Sequence, residues 1–154
     1  MSAQIVFDLC VKKGFTMGFA ESMTGGKAIA TIIEIPGASK VVLGGITAYS
    51  RGLKESLLNV SPKVIDTYGI VSSEVADEMA FGMKALTSAT ISVGITGNAG
   101  PDKQKDSLDL SCYITILLGD QKYQMHLIFD QLSRTEAIDY TVDSLYEKLV
   151  EILS

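Results

Sequence analysis

Histidine is nearly missing from this 154-residue chain, cysteine occurs twice, and the 18 acidic residues outnumber the 13 basic ones. Each scarcity closes a class of chemistry. A Ser-His-Asp triad or a histidine-based metal centre would have to be built around the single histidine, His126, and that ring lies in the alternating stretch Tyr123 to Phe129, where a half-buried structural histidine is the plain reading. Cys10 and Cys112 sit far apart in apolar patterns, which suggests two small buried thiols rather than a C-x-x-C redox pair or a zinc site. A net charge of -5 with scattered Lys and Arg argues against nucleic acid as a partner. No apolar run approaches the roughly 18 residues of a membrane span, and no basic-then-apolar leader precedes Ile5. A soluble, cytoplasmic protein that does not engage a membrane is expected. Repeats, linkers and low-complexity segments are also lacking.

What is present is mostly apolar. Hydrophobic residues make up 47% of the chain, enough for the core of one domain over residues 1–154. Ile5, Val6, Leu9 and Cys10 recur at helical spacing, so Ala3 to Lys13 reads as an amphipathic helix ended by Gly14. Phe15 to Ala20 reads as a strand, and the apolar pattern Lys27 to Ile35 as a helix stopped by Pro36-Gly37. Lys40 to Ala48 reads as a buried strand whose Gly44-Gly45 pair marks a close approach to the backbone. Arg51 to Leu58, Ser61 to Tyr68, and a longer segment capped by Ser72 or Ser73 read as helices, the last with Val75, Met79, Met83 and Leu86 along one face. Ala89 to Thr96 is the most strand-like run and is expected at the centre of the sheet. Lys103 to Asp109 reads as polar and mobile. Leu110 to Leu118 and Lys122 to Asp130 form a hairpin about Gly119-Asp120, and Ser133 to Leu153 a final helix. The order αβαβαααβββα predicts a three-layer α/β/α sandwich around a mixed, mainly parallel sheet of about five strands.

The chain turns on Phe15 to Gly26, where a strand ends in Ala-Glu-Ser-Met-Thr-Gly-Gly and a helix begins. Unpaired first-turn N–H groups and the helix dipole make such a junction suited to a phosphate or a developing oxyanion. Glu21, Ser22 and Thr24 supply a carboxylate and two hydroxyls, and Gly25 and Gly26 allow close approach. The same residues also suit a simple N-cap with glycines for tight packing. Two further strands end in comparable turns, Tyr49 to Lys54 and Thr96 to Asp102. In open α/β sheets the carboxyl ends of parallel strands share one cleft, so the three turns are expected to converge.

These segments together resemble the C-terminal domain of the competence-damage-inducible protein (CinA) family, whose stand-alone members include nicotinamide mononucleotide deamidases. The resemblance runs through Ala20-Glu-Ser-Met-Thr-Gly-Gly26, Pro36-Gly-Ala-Ser39, Leu43-Gly-Gly-Ile-Thr-Ala-Tyr-Ser50 with Lys54, Tyr68-Gly-Ile-Val-Ser72, Val75-Ala76 with Met79-Ala80 and Gly82, and Gly94-Ile-Thr-Gly-Asn-Ala-Gly-Pro101. It implies hydrolysis of the carboxamide of nicotinamide mononucleotide to the nicotinate and ammonia, with no metal and no cofactor, in a homodimer. By this similarity Ser22 is the nucleophile, Lys54 its base and Tyr49 a member of the same hydrogen-bonded set. A serine needs a base to take its proton, and a lysine serves once desolvation lowers its pKa toward neutrality. The substrate-binding residues expected around them are Glu21, Thr24, Gly25, Gly26, Thr96, Gly97, Asn98, Gly100 and Arg134, with amides of Thr24 to Gly26 as an oxyanion hole and the Gly97 to Gly100 turn at the phosphate or ribose.

The chain departs from the family pattern at three places. Met23 stands where members usually carry cysteine. After Pro101 a charged stretch, Asp102 to Cys112, replaces a glycine-rich loop and a Pro-Val-Gly entry to the next strand. Arg134 resembles the first of two family arginines, but Ile138 or Asp139 occupies the neighbourhood of the second. These departures carry an alternative expectation, a catalytically weakened nucleotide-binding or interaction module.

Overall fold

The computed structural model describes residues 1–102 and 109–154. The expected mobile stretch after Asp102 lies outside these residues except for Asp109. Five strands, β1 (Met17–Glu21), β2 (Val42–Thr47), β3 (Ile91–Gly97), β4 (Ser111–Leu118) and β5 (Gln121–Ile128), form one sheet in the order β2-β1-β3-β4-β5. The helices are α1 (Ser2–Lys13), α2 (Lys27–Ile33), α3 (Arg51–Leu58), α4 (Pro62–Tyr68), α5 (Ser73–Thr87) and α6 (Arg134–Leu153), with a 3-10 turn at Ala38–Lys40. Their succession is the one that the periodicity predicts. The sheet is mixed: β2-β1 and β1-β3 are parallel, and β3-β4 and β4-β5 antiparallel.

Strand alternation assigns the two faces. Phe19, Ile91, Val93 and Ile95 point into a core shared with α1, α2 and α6, while Ala20 joins Leu58, Val75, Met79 and Met83 beneath α3 and α5. α5 lies directly on β3 because Gly94 has no side chain there. A Cβ on Gly94 would stand 2.3 Å from the Ala76 carbonyl oxygen and 2.7 Å from the Ala80 nitrogen. On the opposite layer, Tyr146 of α6 is buried and its hydroxyl donates to the Ala28 carbonyl at 2.5 Å, tying α6 to α2.

The helix boundaries follow their caps. Gly14 ends α1 in the left-handed conformation, Ser50 accepts from the Leu53 amide, Ser72 from the Val75 amide, and Ser133 and Glu136 form a capping box at α6. Two expectations about burial change. β2 is an edge strand with alternating exposure rather than a buried one, because only β1 pairs with it; the close approach occurs at Gly45, against Ile29, and not at Gly44. Leu86 is 57% exposed, since α5 meets the sheet through Val75, Ala76, Met79, Ala80 and Met83.

Candidate functional site

The parallel half of the sheet ends in the turns that the sequence singles out. Ser22 follows the last residue of β1 and is buried, 6% exposed. Lys54 lies on α3, one turn after the Ser50 cap, and with Leu58 it forms the buried face of that helix. Its Nζ stands 2.9 Å from Ser22 Oγ, 2.8 Å from the Ala48 carbonyl oxygen and 3.3 Å from the Tyr49 carbonyl oxygen. Ion pairs among the described residues leave Lys54 without a carboxylate partner. At 1% exposure it loses hydration of its ammonium form, and burial lowers its pKa from 10.5 to about 8. A neutral amine has two N–H donors and one lone pair. Donation to the Ala48 and Tyr49 carbonyls aims that lone pair at the Ser22 hydroxyl, so this arrangement can take the serine proton.

A cavity of about 100 Å³ opens beside this pair, lined by Ser22, Met23, Tyr49, Gly97, Asn98, Ala99 and Arg134. The three strand-end turns thus meet, as their expected convergence requires, and Arg134 at the start of α6 joins them. Tyr49 is 60% exposed, and its side chain does not join the serine and lysine. It is the Tyr49 carbonyl that meets Lys54, whereas the Tyr49 hydroxyl accepts from Arg134 Nη2 at 3.0 Å. Arg134 Nη1 donates to the Gly100 carbonyl at 2.7 Å, so one guanidinium joins the β2 end to the loop after β3. A larger aliphatic groove of about 490 Å³ between α2 and β2, lined by Ile29, Ile33, Val42 and Leu43 among others, contains neither nucleophile nor base.

Other expected residues serve the scaffold by their contacts. The Glu21 carboxylate accepts from the Thr24 hydroxyl at 2.6 Å and from the Ala28 and Ile29 amides at 2.9 and 3.0 Å, and so fills the start of α2. Gly25 and Gly26 take left-handed backbone at φ 62° and 101°, the second as the N-cap of α2. The Gly25 amide donates to the Ser22 carbonyl. Thr96 donates its hydroxyl to the Ile70 carbonyl. Asn98 holds its own loop, donating to the Asp102 carbonyl and accepting from the Gly100 amide. None of Glu21, Thr24, Gly25, Gly26, Thr96 and Gly100 lines the cavity.

The Ala48 carbonyl that meets Lys54 carries no sequence signal of its own, because any residue possesses that group; Met23 and Ala99 line the cavity beside it. Asp139, one of the two residues in the neighbourhood where the family pattern has its second arginine, pairs with Lys27. His126 stacks on Tyr113, with ring centroids 4.1 Å apart and planes 5° from parallel, and does not line the cavity. Cys10 and Cys112 are buried, and burial pushes their thiols up to about 11 and about 12, away from the reactive thiolate. Among the described residues no cluster of three or more His, Cys, Asp or Glu suits a metal ion. Nor is any helix among them long and apolar enough to cross a membrane.

Comparison with known proteins agrees with the fold. A relative in Limosilactobacillus reuteri is 34% identical over 153 residues, covering 96% of this chain and 37% of its own length. A CinA-like protein of Fervidobacterium nodosum is 43% identical over 97 residues, 63% of this chain and 24% of the relative. The chain therefore spans roughly a third or less of these curated relatives. The crystal structure of a CinA superfamily protein from Enterobacter cloacae superposes with a TM-score of 0.95 at 23% identity, over 99% of this chain and 90% of that one. A competence/damage inducible protein from Agrobacterium tumefaciens gives 0.93 at 26% identity, over 99% and 94%. The family model described as the CinA C-terminal domain matches residues 1–153, and the chain belongs to that family.

Proposed function

We propose that the protein is an amidohydrolase that converts nicotinamide mononucleotide to nicotinate mononucleotide and ammonia, using Ser22 as nucleophile and Lys54 as base. The observation that carries this reading is the 2.9 Å contact from Lys54 Nζ to Ser22 Oγ, with Lys54 buried and held by two backbone carbonyls. Ser-Lys pairs are a known variant of nucleophile activation and require no histidine. Membership of the CinA family supports the substrate class without specifying it.

In this mechanism neutral Lys54 takes the Ser22 proton as Oγ attacks the carboxamide carbon. Met23 and Ala99 line the cavity and their N–H groups donate no hydrogen bond among the described residues, so in this reading they are the donors that meet the tetrahedral oxyanion. The C–N bond then breaks, and the leaving nitrogen takes the proton from the Lys54 ammonium to depart as ammonia. Water adds to the acyl ester on Ser22, again losing its proton to Lys54, and the carboxylic acid leaves as Oγ regains that proton. Arg134, a charged group at the cavity with no carboxylate partner among the described residues, attracts the substrate phosphate.

Ammonia release from a panel of pyridine nucleotide amides tests the reading. Release from the mononucleotide, and little from nicotinamide itself, is the expected pattern. Asp139, in the neighbourhood where the family pattern carries its second arginine, pairs with Lys27 and supplies no cation for a phosphate, which favours one second reading, a nucleotide-binding module without turnover. It predicts a thermal shift with nucleotides and no ammonia.

A further inference from the structure

We infer that Glu21 is a positioning residue for the Ser22–Lys54 pair: its buried carboxylate, hydrogen-bonded to Thr24, Ala28 and Ile29, fixes the end of β1 so that Ser22 faces Lys54. The inference rests on the Ser-Lys reading above and adds a residue to it. Glu21 is 1% exposed, and no lysine or arginine pairs with it among the described residues. A carboxylate removed from water is costly unless hydrogen bonds replace its hydration. Three short ones do so here, at 2.6, 2.9 and 3.0 Å. Two of the donors are first-turn amides of α2, a helix whose N-cap, Gly26, has no side chain to satisfy them.

The location of this group gives it leverage on the reacting atoms. Successive side chains of a strand point to opposite faces. Glu21 turns toward α2, and Ser22, the next residue, turns toward α3 and Lys54. A rotation of the strand end about its own axis would carry both, so anchoring the carboxylate anchors the serine. The backbone of Glu21 reaches the other partner as well. Its carbonyl accepts from the Ala48 amide at 2.8 Å, and the Ala48 carbonyl accepts from Lys54 Nζ at 2.8 Å. One residue therefore holds the nucleophile through a peptide bond and the base through a two-step hydrogen-bonded path. Because the carboxylate already fills the start of α2, a substrate anion has no place there and must be met elsewhere in the site.

The test measures the rate at which an alkyl fluorophosphonate labels Ser22 in the full chain, at a temperature well below melting, alongside kcat and KM for ammonia release from nicotinamide mononucleotide. Glu21→Gln sets an amide NH2 against backbone N–H groups that need an acceptor. Misplacement of reacting groups by about 1 Å can cost on the order of a hundredfold, so labelling and kcat are expected to fall about tenfold or more, with KM held within about threefold. Ser72→Ala, which removes the α5 cap far from this turn in sequence, should lower Tm while leaving the labelling rate unchanged, which separates positioning from general stability. Should Glu21→Gln not fold, Thr24→Val, which removes only the 2.6 Å contact, decides by the same rates: a fall supports the inference, and an unchanged rate overturns it. Wild-type labelling matched by folded Glu21→Gln overturns the role of Glu21 and leaves the Ser-Lys reading standing. A wild type that is not labelled at Ser22 removes the Ser-Lys reading, and this inference with it.

Discussion

Lys54 Nζ and Ser22 Oγ stand 2.9 Å apart, both groups buried, across 32 residues of sequence. A lysine in this setting is the functional opposite of a surface lysine. Burial brings its pKa down to about 8, so near neutral pH a usable fraction of the amine is free to accept a proton, whereas a solvated lysine at about 10.4 offers almost none.

The pH dependence of turnover follows from that pKa. With Lys54 as the base, kcat/KM should rise with pH through an apparent pKa near 8 and then level off. Initial rates of ammonia release between pH 6 and 10 measure it. A profile flat across pH 7 to 9 would be inconsistent with a lysine base.

Stability carries the same signature with its own sign. The folded state gives up the Lys54 proton near pH 8 and the unfolded chain near 10.5. Between these values the unfolded chain binds more protons, so the Lys54 contribution to stability rises with pH through that window. The change is on the order of 3 kcal/mol. Urea unfolding of the wild type and Lys54→Met at pH 7 and pH 10 isolates it, since the other titrating groups are shared. The difference in stability between the two proteins should shift toward the wild type at the higher pH.

Arg134 should act on binding more than on chemistry. Its guanidinium bridges the Tyr49 hydroxyl and the Gly100 carbonyl at the cavity. Loss of one charge-assisted contact to a phosphate costs about 1.5–3 kcal/mol, so Arg134→Ala should raise KM for the mononucleotide by roughly 10- to 100-fold. Steady-state kinetics check it. A drop in kcat at constant KM would assign Arg134 to the chemical step instead.

Gly94→Ala tests the packing beneath the site. The added methyl meets the Ala76 carbonyl oxygen at 2.3 Å, so α5 must lift from β3. A loss of about 1–3 kcal/mol is expected, measurable as a lower denaturant midpoint.

Much of this architecture was legible in the chain because its punctuation is local. Gly14, Ser50, Ser72 and Ser133 mark helix ends through contacts within a few residues, and the β-branched run in β3 announces a buried strand. The encounter of Ser22 with Lys54 could be expected from the convergence of strand ends and from the family likeness. Side-chain direction was not legible. Tyr49 reaches Arg134 across 85 residues, and Glu21 turns inward to α2 rather than to the cavity. Both outcomes depend on which face of a strand end a neighbour covers, and a turn motif carries no record of that. The exposure of β2 is hidden from the sequence for a related reason, since apolar composition does not reveal whether a strand has one neighbour or two.

The central claim is that the Ser22–Lys54 pair cleaves the amide. Ammonia released from nicotinamide mononucleotide by the wild type, by Ser22→Ala and by Lys54→Ala tests it most directly. Loss of either member of such a unit should lower kcat by about a thousandfold or more, with the two losses far from additive in the double variant. Robust release by the wild type that persists undiminished in Ser22→Ala or Lys54→Ala would contradict it.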